Sequence, residues 1–378
     1  MNPKIESIHI RGFRSLADVR ISNMSNATVL IGANGSGKSN FIRFFQLMQA
    51  MLHSRLGEFV AWQGGADDQL FGGNSRTPRM ESEIRIRTDV ALNDYGFALA
   101  YAHPDRFIFT DERCRNTGND YSELTQWLPL GSGHLEANIV VAAYSQETCN
   151  ISERITKLTT SLITNLLRTI AIYQFHDTSD TSNFKKRWDL SDNLVLRADG
   201  GNLAAILHRL ERQDVLRYNL ICRQISRILP GFDRFELKED YGKILLRWRA
   251  KWTDKIFGAH LTSDGSLRLF ALVTLLNLPP EMLPSIILLD EPELGLHPAA
   301  ISLIGGMIRS LSTERQIILA TQSPLLVSSF DLDEIIVLDL QDGQTVLSRH
   351  NSNEYQRWFD RSLTTGDLWQ KNLLGGRP

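Results

Sequence analysis

The spacing of apolar and polar residues along the chain predicts most of its secondary structure. Segments 4–10, 17–22 and 27–31 alternate or are apolar over the length of a strand, and helical spacing follows over 38–56. Between about 81 and 145 the pattern returns to alternation and predicts several β-strands, including one over 136–145. The first part of the chain is therefore expected to contain an antiparallel β unit.

The second half of the chain predicts helices and a different kind of sheet. Helical periods dominate residues 151–230, and strands return from about 234, including one over 251–257. Apolar, β-branched segments at 285–290, 316–322 and 334–340 then alternate with helices. Such runs are typical of a largely parallel sheet that is covered on both faces. The expected fold class is therefore α/β.

Composition and charge narrow the class of protein. The chain of 378 residues is 42% hydrophobic and 22% charged, and its net charge is −2. These values predict a packed core, and they do not indicate a strongly basic nucleic-acid binder. Three separated cysteines, Cys114, Cys149 and Cys222, indicate neither a disulfide framework nor a zinc site. The N-terminus lacks a signal-peptide core, and no apolar run is long enough to span a membrane, so a cytoplasmic protein is expected.

A glycine-rich segment, IGANGSGKSN at 31–40, lies between a predicted strand and a predicted helix. It fits the pattern G-x-x-x-x-G-K-[ST], whose backbone N–H groups and following helix N-terminus bind phosphate. Lys38 is expected to reach the β- and γ-phosphates of ATP, and the Ser39 hydroxyl to bind Mg²⁺. The predicted nucleotide-binding residues are Asn34, Gly35, Ser36, Gly37, Lys38, Ser39 and Asn40.

A second group of candidates ends the apolar strand at 285–290. Asp290 there would be a desolvated carboxylate, which is costly unless a cation pairs with it. Mg²⁺ held jointly by Ser39 and Asp290 would provide that cation. Glu291 would orient or deprotonate the attacking water. The alternative is that both carboxylates simply favour the start of the next helix.

A third segment, Ser263-Asp264-Gly265, opens an amphipathic helix. By itself it predicts an ordinary helix cap followed by core leucines. Its position in the chain changes that interpretation. It follows the phosphate-binding loop and precedes Asp290-Glu291, and "LATQSP" at 319–324 comes last.

In this order the motifs resemble those of ABC-type ATPases of the structural-maintenance-of-chromosomes (SMC) and RecF group. More narrowly, the chain resembles the bacterial AAA-family ATPases related to the Overcoming Lysogenisation Defect (OLD) proteins. The resemblance is carried by "IGANGSGKSN", "LTSDGSLRLFALVTLL", "IILLDEPELGLHP" and "IILATQSPLLVSSF". It implies a P-loop NTPase head with an antiparallel β lobe and a helical insertion. Too few residues follow the last strand for the TOPRIM nuclease domain of the OLD proteins, so that domain is expected to be absent.

The resemblance also implies a mechanism. Two heads enclose two ATP molecules, and Ser263, Asp264 and Gly265 of one head close on the γ-phosphate held by the other. The implied catalytic residues are Glu291, Lys38 and Gln322. Related switch strands usually end in a histidine, whereas this chain has Gln322, whose amide can donate a hydrogen bond but cannot carry a proton.

Several assignments stay open at the sequence level. The glutamine that links nucleotide to the second lobe is Gln69 or Gln174. Arg14, in Phe13-Arg14-Ser15, lines the adenine side or belongs to a solvated hairpin tip. His176-Asp177-Thr178 is interpreted as a loop contact rather than a metal site. The C-terminal segment, with Trp358 and Trp369, packs on its own domain or docks on a partner.

Basic residues of the helical region are a further candidate surface. They would contact a nucleic-acid backbone or form a solvated face. The candidates are Lys185, Lys186, Arg187, Trp188, Arg209, Arg212, Arg217, Arg223 and Arg227.

These patterns lead to four predicted segments and three functional hypotheses. The segments are an N-terminal lobe at 1–150, a helical insertion at 151–230, a C-terminal lobe at 231–350 and a tail at 351–378. The leading hypothesis is an ATPase that dimerises around ATP and regulates a separately encoded nuclease or toxin in bacterial anti-phage defence. The alternatives are a RecF-like, DNA-binding repair ATPase and an ATP-switched scaffold with little turnover.

Overall fold

A computed structural model describes residues 3–89, 91–118, 126–145, 151–360 and 362–376. Cys114 and Cys222 are buried free thiols, while Cys149 lies outside the described residues. Within the described ranges, the longest apolar helical stretches fall short of what crossing a bilayer requires.

Strands and helices occur throughout the described residues. The strands are β1 Lys4–Phe13, β2 Leu16–Ile21, β3 Ala27–Ile31, β4 Arg79–Arg87, β5 Ala91–Ala102, β6 Arg106–Gly118, β7 Leu128–Gly131, β8 Ala171–Tyr173, β9 Trp188–Asp189, β10 Phe232–Phe235, β11 Lys243–Ile244, β12 Arg247–Ala250, β13 Ile256–Gly258, β14 Ile286–Asp290, β15 Gln316–Thr321, β16 Ile335–Gln341 and β17 Gln344–Ser348. The helices are α1 Lys38–Leu52, α2 Leu56–Trp62, α3 Asn138–Tyr144, α4 Ile151–Arg168, α5 Leu203–Gln213, α6 Val215–Ile228, α7 Asp264–Leu275, α8 Pro298–Ser312, α9 Pro324–Val327, α10 Gln356–Phe359 and α11 Thr365–Gln370.

A central six-stranded sheet has the order β17-β16-β3-β15-β14-β8. Its pairs are parallel except for the hairpin of β16 and β17. Every residue of β3, β14 and β15 is buried, as expected for strands that carry helices on both faces. The predicted parallel sheet is therefore present.

A second sheet is antiparallel, with the order β2-β1-β4-β5-β6-β7. Helix α1 packs between the two sheets, where Phe44 contacts both Phe97 of β5 and Phe45 of its own helix in a buried cluster. The opposite face of the central sheet is covered by α5 to α9 and α11. The chain therefore has the predicted α/β architecture with an antiparallel β lobe.

Two of the predicted strands are wrong. Residues 138–144 form α3, because Ile139 and Ala143 are buried one helical turn apart while Val141 and Tyr144 are exposed. Over 251–257 the chain first turns, and a strand begins at Ile256. Apolar side chains in short segments fit either period, so packing on a neighbouring element decides between them.

The helices of residues 151–230 do not pack as one unit. Helix α4 contributes to the core between the two sheets, whereas α5 and α6 contribute to the core on the opposite face. Between them β8 joins the edge of the central sheet beside β14. The four predicted segment boundaries stay a prediction.

The C-terminal segment packs on its own domain. Trp369 is completely buried, and Trp358 packs against the same core. At Gly366 an added Cβ would lie 2.0 Å from the Pro324 carbonyl oxygen, so α11 lies directly on α9. Of the two possibilities that the sequence left open for this segment, the structure shows internal packing.

A buried carboxylate holds the antiparallel lobe to α3. Glu112 of β6 accepts hydrogen bonds from the Tyr95 hydroxyl at 2.8 Å and from the backbone N–H groups of Asn138 and Ile139 at 2.8 and 3.1 Å. Burial raises the pKa of Glu112, while these three donors act in the opposite direction. The carboxylate thus joins two strands to the start of a helix.

We expect Glu112→Ala to lower the free energy of unfolding by about 3 kcal/mol, because three buried donors lose their acceptor. Urea unfolding measures the change. The matched control is Asp111→Ala, which removes a neighbouring, half-exposed carboxylate that lies 3.4 Å from Arg113. This control should cost less than about 1 kcal/mol. Equal losses in the two variants would contradict the proposed role of Glu112.

Candidate functional site

Four neighbouring parallel strands end at one edge of the central sheet. Strands β3, β15 and β8 are followed directly by Gly32, Gln322 and Gln174, and β14, which lies between β15 and β8, ends at Asp290. The carboxyl ends of parallel strands meet at the same edge, which is where α/β folds bind ligands. The sheet therefore brings together residues that lie far apart in the sequence.

The glycine-rich loop joins β3 to α1. Asn34, Gly35 and Ser39 are exposed, and the space beyond Gly35 is open for 4 Å around a built Cβ. The hydroxyl of Ser36 is buried without a hydrogen-bond partner among the described residues. A loop with free space and an unsatisfied buried hydroxyl fits a phosphate group.

Two glycines of this loop are required by the hairpin of β16 and β17. A Cβ on Gly32 would lie 2.2 Å from the Leu338 carbonyl oxygen, and one on Gly37 would lie 2.0 Å from the Thr345 hydroxyl. Gly37 also has a φ of 107°, in the left-handed region that favours glycine. The hairpin therefore lies against the outer side of the loop.

Lys38 lies at the centre of the site and is 4% exposed. Its ammonium group donates to the carbonyl oxygens of Gly32 at 2.6 Å and Ala33 at 3.0 Å. Burial lowers the pKa of Lys38, and the negative charges of Glu291 and Asp290 act against that shift. The lysine is thus electrostatically coupled to the carboxylates at the end of β14.

Asp290 is almost completely buried, and burial raises the pKa of its carboxyl group. The side-chain amide of Gln174 donates to Asp290 Oδ2 at 2.7 Å. His176 donates from Nε2 to the Asp290 carbonyl oxygen at 3.0 Å, so the 176–178 segment is a loop contact, as the sequence indicated. Gln174 is therefore the glutamine beside the candidate metal ligand.

Gln69 has a different environment. It accepts a hydrogen bond from Arg14 Nε at 3.1 Å and donates to the Gln63 carbonyl oxygen at 2.9 Å. Arg14 lies in the turn between β1 and β2 and is half-buried, and its placement beside the adenine stays a prediction. The neighbouring Ser15 accepts a hydrogen bond from Asn40 at 2.8 Å, which ties this turn to the glycine-rich loop.

Glu291 has a φ of 44°, a left-handed conformation that is uncommon for residues other than glycine. Its backbone N–H donates to the Ala320 carbonyl oxygen at 2.8 Å and extends the ladder between β14 and β15. The side-chain amide of Gln322 donates to Glu291 Oε1. The switch glutamine and the candidate general base are thus in direct contact.

The segment Ser263-Asp264-Gly265 opens α7 on the surface. Ser263 caps the helix by accepting a hydrogen bond from the Ser266 N–H at 3.3 Å, and both Ser263 and Asp264 are exposed. Gly265 lies against the loop after β14, since a Cβ there would be 2.5 Å from the Gly295 carbonyl oxygen. Within the described ranges, no hydrogen bond or ion pair joins 263–265 to residues 32–40.

Arg268, which the sequence analysis did not select, anchors this helix. Its guanidinium donates to the carbonyl oxygens of Phe175 at 3.0 Å, His176 at 2.9 Å and Leu294 at 3.0 Å. It therefore links α7 to the segments that follow β8 and β14. A charged residue one turn inside an otherwise apolar helix was the signal for it in the sequence.

The donor set at this edge fits Mg²⁺. Ser39 and Asp290 offer a hydroxyl and a carboxylate oxygen, which are hard ligands, and magnesium sites use few protein ligands together with phosphates. A cation would also offset the cost of burying the Asp290 carboxylate. Clusters of three or more His, Cys, Asp or Glu side chains with metal-binding geometry do not occur among the described residues.

The basic residues of the predicted helical region are largely engaged with the protein itself. Arg187 pairs with Asp240 at 2.7 Å, and Lys185 lies 3.2 Å from Asp180. Arg217 binds Asp214 and the carbonyl oxygen of Asn277. Three further arginines on α5 and α6 are exposed without an ion pair among the described residues: Arg212, Arg223 and Arg227. Contact with nucleic acid through them stays a prediction.

Comparison with known families gives two matches. The family model described as "AAA ATPase domain" matches residues 4–215. The model described as "AAA domain, putative AbiEii toxin, Type IV TA system" matches residues 155–328. Together the two matches include all four strands that end at the site, β3, β15, β14 and β8.

Curated relatives and solved structures extend this picture. The DNA replication and repair protein RecF of Anaeromyxobacter sp. (strain K) is 36% identical over 78 residues, and that of Myxococcus xanthus (strain DK1622) is 31% identical over 86 residues. The matches span 20–22% of this chain and of those relatives.

An SMC head bound to the C-winged-helix domain of ScpA covers 93% of this chain and 99% of its own, with a TM-score of 0.57 and 18% identity. A Pyrococcus furiosus SMC head bound to the C-terminal domain of ScpA covers 95% and 99%, with a TM-score of 0.53 and 16% identity. The fold is therefore that of an SMC head.

We expect Gln174→Ala to weaken binding of ATP in the presence of Mg²⁺ about tenfold, or ~1.4 kcal/mol, because Asp290 loses the amide that orients its carboxylate. Titration of a fluorescent ATP analogue, with Mg²⁺ and with EDTA, measures the effect. Gln69→Ala is the comparison variant and should leave the dependence of ATP affinity on Mg²⁺ unchanged, because Gln69 contacts Arg14 and not Asp290. If Gln69→Ala instead weakens Mg²⁺-dependent ATP binding more than Gln174→Ala does, then Gln69 is the glutamine that links nucleotide to the second lobe.

Proposed function

The chain belongs to the AAA ATPase domain family, and from this premise we propose that it binds ATP between two copies of itself and hydrolyses it. We further propose that this cycle controls a separately encoded effector. One observation carries the proposal: the phosphate-binding loop, Gln322, Asp290 and Gln174 end four neighbouring parallel strands. Binding and chemistry would then share one edge of the sheet.

Within one head, the residues have distinct tasks. Backbone N–H groups at 34–39 bind the phosphates, and Lys38 turns from the carbonyl oxygens of its own loop to the β- and γ-phosphates. Glu291 accepts a proton from the attacking water, and Gln322 donates a hydrogen bond to the γ-phosphate. Mg²⁺, held by Ser39 and Asp290, would neutralise charge that develops on the phosphates.

The second copy of the chain completes the site. Ser263 and Asp264 lie exposed at the N-terminus of α7, and the helix dipole there favours an anion. Without a contact to the phosphate-binding loop of its own chain, this helix start is available to the γ-phosphate in another head. ATP would then hold the dimer together, and hydrolysis would release it.

The proposed effector is a nuclease or toxin of an anti-phage system, and the chain is proposed to be OLD-like. The family model whose description names a type IV toxin–antitoxin system supports this assignment. The SMC heads with bound ScpA domains support the idea that such a head carries a separate protein. Turnover that responds to a co-purified protein would be the expected signature.

A RecF-like role on DNA is the second candidate. The RecF relatives favour it, and Arg212, Arg223 and Arg227 are the exposed side chains that would contact phosphates. DNA-stimulated ATP turnover that falls steeply with salt would support this role. The contact of Gln322 with Glu291 also permits an ATP-switched scaffold, for which tight binding without turnover is expected.

We expect Glu291→Gln to slow ATP turnover at least about a hundredfold, because an amide cannot accept the proton of water. In saturating ATP and Mg²⁺ the variant should accumulate as a dimer, which light scattering detects as a doubled mass. The wild-type protein should show a smaller dimer fraction, since hydrolysis releases its partner.

Lys38→Ala is the matched control and should remain monomeric at the same ATP concentration, because it lacks the ammonium group that binds the phosphates. A Glu291→Gln protein that stays monomeric in saturating ATP would refute ATP-dependent dimerisation. Turnover by wild-type protein in that case would leave the ATPase assignment intact.

A further inference from the structure

Glu293 is a third acidic residue at the site, two positions after the general base. Burial raises the pKa of its carboxyl group. One oxygen, Oε1, accepts hydrogen bonds from the Thr321 hydroxyl at 2.6 Å and from the Gln322 backbone N–H at 3.0 Å. The other, Oε2, is buried without a partner among the described residues.

These contacts link Glu293 to Gln322 and Gln322 to Glu291, the candidate general base. Glu293 fixes the backbone of Gln322, and the side chain of Gln322 donates to Glu291. Pro292 joins the two glutamates covalently. The orientation of the amide of Gln322 therefore depends on the carboxylate of Glu293 as well as on that of Glu291.

We propose that Glu293 is a positioning residue for ATP hydrolysis, which holds the end of the switch strand so that Gln322 pivots between Glu291 and the γ-phosphate. With its backbone anchored at the N–H, Gln322 changes only its side-chain rotamer when nucleotide arrives. Glu291 is then released from the amide and is able to act on water. The inference rests on the proposed ATPase function and deepens it.

Two other roles would use the carboxylate of Glu293 differently. A second general base must accept a proton, and a metal ligand must offer an anionic oxygen. Positioning needs an oxygen acceptor at Oε1, which the amide of glutamine also supplies. Replacement by glutamine and replacement by alanine therefore separate positioning from the two chemical roles.

The test compares kcat and KM for ATP in Glu293→Gln, Glu293→Ala and the wild-type protein. Glu293→Gln is expected to keep kcat within about threefold of wild type, because both hydrogen bonds to Oε1 persist. Glu293→Ala should lower kcat about tenfold and leave KM unchanged, since phosphate binding does not involve this side chain. In a Gln322→Ala background the same alanine substitution should change kcat less than about twofold.

Three results would overturn the inference: turnover lost in Glu293→Gln as fully as in Glu291→Gln, an unchanged kcat in Glu293→Ala, or losses that multiply with Gln322→Ala. If Glu293→Ala does not fold, Thr321→Val removes one of the two donors instead and should lower kcat in the same way. An unchanged kcat in Thr321→Val then overturns the inference. A folded wild-type protein without ATP turnover would refute the proposed function itself.

Discussion

The parallel hydrogen-bonded ladder of β3, β15, β14 and β8 is the constraint on which the site depends. Register pairs Asp290 with Ala320, and Ala320 with Leu30, so the ends of these strands lie level with one another. Because every residue of the three inner strands is buried, a shift of one residue would move apolar side chains between two packed cores. The hydrophobic pattern of the strands thereby fixes the relative positions of the polar residues beyond them.

Burial gives the charged groups at this edge their chemical character. Desolvation lowers the pKa of Lys38 and raises the pKa values of Asp290 and Glu293, so each group is pushed toward its neutral form. Neighbouring groups of opposite charge, and the amide of Gln174, restrain these shifts. Such a site binds most favourably a ligand that carries both negative phosphates and a divalent cation, because electrostatic interactions are strong where water is excluded.

The loop after β14 connects the candidate catalytic residues to the surface that is proposed to face a second copy. Glu293 contacts the switch strand, Leu294 accepts a hydrogen bond from Arg268, and Gly295 packs against Gly265 at the start of α7. Glu291, the candidate general base, is the first residue of the same loop. A movement at the γ-phosphate would therefore be transmitted over a few residues to the exposed helix start, without a long pathway.

The sequence by itself determined the parallel sheet and supported the candidates Lys38, Ser39, Asp290 and Glu291, because a strand, a loop and a helix that follow one another in the chain carry those motifs. Tertiary structure decided the rest. Only the pairing of β8 with β14 places Gln174 beside Asp290, whereas Gln69 lies beside Arg14. Residues 138–144 became a helix through packing, which their short apolar pattern did not specify. Glu293 and Arg268 act through contacts between segments distant in sequence. The spacing of residues along a chain shows only which residues are close in sequence. The contacts of Gln174, Glu293 and Arg268 depend on strand pairing and burial, which bring distant segments together.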